Sequence, residues 1–146
     1  MGVGQQTGWL RLLINTVRIL LVGALLGGLL TLYAFAEARR LPVIRRAAVS
    51  LQAWPAGTPP ITIALLSDIH LGNATMDEQR LASIVAQLNA QRPDLILLAG
   101  DFIAGHQFDP KGIIAHRLTP MLARLRAPLG VVAVLGNHDH WSSATV

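Results

Sequence analysis

"ITIALLSDIHLG", residues 61–72, runs from apolar and β-branched residues into an aspartate and a histidine two positions apart. Its first half, ITIALL at 61–66, reads as a buried strand: short, continuously apolar, partly β-branched, and preceded by a loop that Pro55, Gly57, Pro59 and Pro60 punctuate. Its second half does nothing for a core. An acid and an imidazole are costly at the edge of an apolar layer unless something partners them there. The reason for Asp68 and His70 has to come from the rest of the chain.

Downstream, Thr75-x-x-Glu78 has the form of a capping box. Leu81, Ile84, Val85 and Leu88 follow at the spacing of an amphipathic helix, which should end before Pro93. LILLA at 95–99 reads as a second buried strand and VVAVL at 131–135 as a third. Between them Leu118, Met121, Leu122 and Leu125 share a helical face, with Pro120 tolerable near a first turn. Upstream, AAVSLQAW at 47–54 reads as a short edge strand. The order β-α-β-α-β with continuous apolar strands is that of a mostly parallel sheet covered on both faces.

Ligands of such sheets bind beyond the carboxyl ends of the strands. The first strand is followed there by Ser67-Asp68-Ile69-His70, the second by Gly100-Asp101, the third by Gly136-Asn137-His138-Asp139-His140. Each motif alone is an ordinary turn; three in succession deliver oxygen and imidazole groups to one edge. Carboxylate, imidazole and amide oxygen suit Mn, Fe or Zn better than calcium or copper. One carboxylate, such as Asp101, can bridge a pair of ions, which lower the pKa of a shared water and neutralise phosphoryl charge. Asp68 and His70 therefore stand at their strand end because Asp101 and Asn137 arrive beside them.

The composition adds a membrane segment. Of 146 residues 52% are hydrophobic and only 14% charged. Ile19–Ala36 holds 18 residues without a charge, close to the roughly 20 that span a bilayer. Trp9 and Tyr33 lie near its ends, where amphipathic rings favour the interface. A signal peptide cut after Ala34-Phe35-Ala36 is the competing reading, but the run is long for such a segment and Arg18 sits deep for its basic region. Residues 1–50 carry a net charge of +5 and residues 51–146 a net charge of −1. The basic excess thus belongs to the tail, where Arg39, Arg40, Arg45 and Arg46 suit anionic headgroups, and a nucleic-acid partner is not expected. The arginine count around the span favours a cytoplasmic carboxyl-terminal domain. Residues 1–46 are read as anchor and basic juxtamembrane segment, and residues 47–146 as the α/β portion. The absence of cysteine excludes disulfides and thiolate metal sites.

Asp68-Ile69-His70, Gly100-Asp101 and Gly136-Asn137-His138-Asp139 together resemble the first three motifs of the calcineurin-like metallophosphoesterases. "LLSDIHLG", "RPDLILLAGDF" and "GVVAVLGNHDHW", behind an N-terminal span, are similar to the membrane-associated bacterial branch of YkuE/YaeI-type phosphodiesterases. The resemblance implies a fold: an N-terminal transmembrane helix, then the first β-α-β-α-β half of a sheet sandwich. It implies that Asp68 and His70 bind one divalent metal ion, Asp101 bridges two, and Asn137 binds the second. It also implies that His138 contacts the phosphate and protonates the leaving group, with Asp139 orienting it. The expected substrate is a phosphomonoester or phosphodiester, and the tether motivates a lipid-linked one at a bacterial inner membrane.

The family supplies further metal-binding histidines downstream, including a G-H-x-H motif, that residues 1–146 do not contain. His106 and His116 lie too early in chain order to replace them, and His140 is expected in the surroundings of the site. The 146 residues are therefore expected to be the N-terminal part of a longer enzyme, inactive in isolation. The rival expectation is a truncated, inactive α/β interaction module tethered to the membrane.

Overall fold

A computed structural model describes residues 3–105 and 113–142. The chain divides into two compact units, Met1–Arg40 and Leu41–Val146. The first is one helix, α1 (Val3–Ala38). Its stretch Gly8–Ala38 is long and apolar enough to cross a membrane. The hydroxyl of Thr31 donates to Gly27 O within the helix at 2.8 Å, which keeps that polar group satisfied without water.

The second unit builds a three-stranded parallel sheet from β1 (Ile63–Leu66), β2 (Leu95–Ala99) and β3 (Val131–Val134), in the order β1-β2-β3. Ile63 pairs with Leu95 and Ile96 with Val131. The crossovers are α2 (Glu78–Ala90) and α3 (Ile113–Leu122), and a short α4 (Asn137–Ser142) follows β3. The helical stripe of α2 lands in the core: Leu81, Ile84, Val85 and Leu88 are all buried, against Ile96, Leu98 and Leu125. Each such side chain contributes about 1.5–3 kcal/mol by leaving water.

Several local expectations shift, each for a visible reason. Thr75 does not cap α2, because its amide and hydroxyl are both bound to Asn73 Oδ1. Asp77 caps instead, in extended backbone, with Oδ1 accepting from Arg80 N at 2.8 Å. The first strand starts at Ile63, two residues late. The amide of Thr62 is bound to the Asp94 carboxylate at 2.7 Å, so a side chain and not a strand supplies its partner. Residues 47–54 form no strand and end in a turn closed by Trp54 N to Leu51 O. Pro120 lies in the last turn of α3 and not in its first. There it cannot give the helical bond to the carbonyl of His116, but α3 ends two residues later and Ala123 N still reaches Thr119 O at 2.9 Å.

The largest difference concerns the sheet faces. Among the described residues only one face is covered, by α2 and α3 packed on each other. Strands added in the order 1-2-3 through crossovers of one hand place every helix on the same side. The other face stays open, with Leu65 69% and Val132 54% exposed.

Candidate metal centre

Beyond its strands the sheet continues as laced loops. Asp68 N, His70 N and Leu71 N donate to the carbonyls of Gly100, Asp101 and Phe102 at 3.2, 2.9 and 2.9 Å. A parallel bridge between Leu71 and Ile103 ends the lacing. Ile69 and Leu71 lie in the core, both 2% exposed, whereas Asp68 is exposed and His70 half-buried. This ties the first two motifs together in register.

The backbone at these positions is unusual. Asp68, His70 and Asp101 all adopt left-handed conformations, with φ of 55°, 49° and 55°. For residues with a β-carbon that costs about 1–2 kcal/mol each, and such outliers gather where side chains must be aimed. Gly100, at φ 81°, serves the same turn. A β-carbon there would stand 2.7 Å from Gly136 Cα, and one on Gly136 would stand 2.5 Å from Asp101 N. Two glycines thus let the second and third loops touch.

Contact of the loops brings the side chains together. His70 Nε2 lies 4.0 Å from Asp101 Oδ2 and 3.8 Å from Asp68 Oδ1. The imidazoles of His70 and His138 meet edge to face with centroids 4.7 Å apart. One ligand atom each from His70, Asp101 and His138 fall within 4.8 Å of one another. A shell built on bonds of about 2.0–2.2 Å needs its donors closer than that on average. Two imidazoles and a carboxylate suit borderline divalent metals. The residues present therefore fit a metal ion.

Asp68 is more exposed than its partners, and its Oδ2 is joined to the Ser67 hydroxyl. Asn137 opens α4 with an exposed side chain, and none of its described contacts joins the His70–Asp101–His138 cluster. Asp101 also binds backbone. Its Oδ1 accepts the His138 amide at 3.0 Å, leaving Oδ2 for the His70 side. Asp139 is engaged with backbone alone among its described hydrogen bonds. Its Oδ1 accepts from Phe102 N at 2.8 Å and Ile103 N at 3.3 Å, and its Oδ2 from Gly136 N at 2.9 Å. One carboxylate thereby clamps the second loop onto the third, and with it the helix that carries His138.

Two neighbours went unread in the sequence. Trp141 lies against His138, ring centroids 5.2 Å apart, and their i, i+3 spacing would have signalled it. Gly105 leaves room for His138, whose Nδ1 would stand 3.0 Å from a β-carbon added there. His116 and His140 are exposed, and His106 lies outside the described residues.

The sequence pattern of the calcineurin-like phosphoesterases matches residues 61–145, which contain every one of these groups. A putative metallophosphoesterase of Caenorhabditis elegans, F40B5.2, is 35% identical over 99 residues, 68% of this chain and 19% of the relative. A transmembrane protein with a metallophosphoesterase domain from Bos taurus is 28% identical over 114 residues, 78% of this chain and 24% of its own. The UDP-2,3-diacylglucosamine pyrophosphatase LpxG of Chlamydia trachomatis is 34% identical over 80 residues, 55% of this chain and 23% of its own. The chain belongs to the calcineurin-like phosphoesterase family and is similar to its membrane-associated branch. It spans 19–24% of the length of these three relatives. One helix long and apolar enough to cross a membrane, together with a relative named as a transmembrane protein, suggests a membrane protein.

Proposed function

We propose that residues 61–142 carry the N-terminal share of a two-metal centre that hydrolyses phosphoesters. The observation that supports this most is the meeting of His70, Asp101 and His138, the first two held in left-handed backbone at their strand ends. Asp68 and His70 would hold one ion, Asp101 would bridge, and Asn137 would hold the second. When bound, a pair of divalent ions such as Mn, Fe or Zn supplies an activated water and offsets charge on the phosphoryl group. His138 acts on the substrate, contacting a phosphoryl oxygen and giving a proton to the departing oxygen. Asp101 seats it through the His138 amide, and Asp139 holds its helix against the second loop.

Residues 1–46 would anchor residues 47–146 to a bacterial inner membrane, the domain facing the cytoplasm by the arginine count. A phosphoester borne on a lipid fits that tether, and the name of the chlamydial relative supports the same substrate class. The test is hydrolysis of bis-p-nitrophenyl phosphate by a protein that carries this segment together with the downstream part of the domain. Mn-stimulated, EDTA-sensitive turnover is expected, and His138→Ala should lower it by about 10²–10⁴-fold with metal content retained. Loss of metal in that variant would make His138 a ligand and not the acid.

A further inference from the structure

The end of the domain remote from the metal centre carries a groove that phosphoester chemistry does not use. It lies beneath the C-terminal end of α2, has a volume of about 620 Å³, and is lined by Asn89, Arg92, Pro93, Leu125 and Arg126 among others. Asn89 builds its wall, donating from Nδ2 to Arg124 O and accepting Arg126 N at Oδ1, both at 2.9 Å. Those bonds fix the approach to β3 against α2 and set Arg126 on the same groove as Arg92.

Arg92 is the more telling residue. It follows the C-cap Gln91 in left-handed backbone, φ 51°, where helices favour glycine because a β-carbon crowds the turn. An arginine occupies that place, exposed to solvent like Arg126. The nearby Asp94 is already engaged, its Oδ2 accepting Thr62 N. Asp68, Asp101 and Asp139 stand at the opposite ends of the strands, and Asp77 and Glu78 at the other end of α2. Of these carboxylates only Asp94 stands at the groove end, while Arg80 and Arg117 lie with Asp77 and Glu78 at the other end of α2.

The linker joins this same end. Pro42 O accepts from Gln87 Nε2 at 3.0 Å, and Arg46 donates to Gln91 Oε1 at 2.6 Å. Pro42 is only four residues beyond the last residue of the apolar helix, Ala38. We propose that Arg92 and Arg126 on this groove, with Arg46 on the linker bonded to Gln91, form a docking face for the anionic phospholipid headgroups of the bilayer that α1 crosses. The inference rests on the anchored reading of α1. Guanidinium groups suit the phosphodiester of a headgroup, since their planar fork can donate to two oxygens. The linker's emergence at this end makes a bilayer, and not a phosphate in solution, the partner within reach.

The chain has no cysteine, so Ala90→Cys, exposed at the end of α2, takes a single fluorophore. The full chain is placed in phosphatidylcholine vesicles with or without phosphatidylglycerol, each holding a lipid with a nitroxide headgroup as quencher. Quenching should be strong only with phosphatidylglycerol, weaken with salt, and persist when inorganic phosphate replaces chloride at equal ionic strength. Arg92→Gly with Arg126→Gln should lower the docked-to-undocked ratio about twenty-five-fold, at about fivefold for each arginine near an anionic surface. Arg92→Gly alone should leave the urea midpoint unchanged or raised, which separates lost docking from lost fold. Equal quenching in both vesicle types, retention of quenching in the double variant, or its displacement by inorganic phosphate would each overturn the proposal. Carbonate extraction of the same vesicles keeps the two readings apart: extractable protein refutes the anchor, whereas retained protein with lipid-independent quenching refutes the docking face.

Discussion

Replacing Asp139 by asparagine keeps the shape of the side chain and removes its charge, which tests the clamp between the second and third loops. The carboxylate holds two short backbone bonds, to Phe102 N at 2.8 Å and Gly136 N at 2.9 Å, and a longer one to Ile103 N at 3.3 Å. Each bond to a charged acceptor contributes about 1.5–3 kcal/mol net, and neutral acceptors contribute roughly half as much. Asparagine has one acceptor oxygen, so its NH₂ must face either Gly136 N or Phe102 N, donor against donor. The expected loss is about 2–4 kcal/mol, a large share of the roughly 5–15 kcal/mol by which domains are stable. Urea unfolding of the chain in detergent, followed by tryptophan emission, reads it. Of the three tryptophans, Trp141 lies on α4 against His138, so Trp9→Phe and Trp54→Phe in the parent and variant let the emission follow α4. The midpoint should fall with the slope unchanged, and Asp139→Ala should fall further. A midpoint equal to the parent's, alongside lost turnover in the longer protein, would refute the clamp and return Asp139 to the role of orienting His138.

In the longer protein Asp101→Asn should reduce bound metal more than Asn137→Ala, because a bridging carboxylate serves both ions; elemental analysis after gel filtration checks it, and equal metal in the Asp101 variant and the parent would end the bridging assignment. Gly100→Ala should destabilise by several kcal/mol, since it adds a β-carbon at φ 81° beside the Gly136 backbone, against about 1 kcal/mol for an unstrained change; thermal unfolding distinguishes the two. The chain should stay with membranes through carbonate extraction, because Ile19–Ala36 is uncharged and flanked by arginines; a soluble product beginning at Glu37 would favour a cleaved signal.

Much of the fold was readable because its signals are local. A continuous apolar run, such as 95–99, has few places to go but a buried strand, and the stripe Leu81, Ile84, Val85, Leu88 points one way whatever surrounds it. The strand-end position of the three motifs follows from the same runs. Details that depend on competition between neighbours were less legible. Thr75 and Asp77 are both good caps, and only the folded chain, where Asn73 occupies Thr75, decides between them. The same holds for Thr62, which met a carboxylate where a strand partner was expected.

What the sequence by itself determined is the inventory and its order: an apolar span, three strands, and Asp68, His70, Asp101, Asn137, His138 and Asp139 at their ends. Distances between those side chains were decided by tertiary structure alone. His70 and His138 are 68 residues apart in sequence and come into ring contact only because Gly100 and Gly136 lack β-carbons and let their loops close. The one-sided helix layer was equally beyond a reading of periodicity, since a strand's pattern records that a face is apolar and not what covers it. Periodicity is a property of neighbouring residues, whereas a site and a sheet face are properties of segments that meet only when the chain has folded.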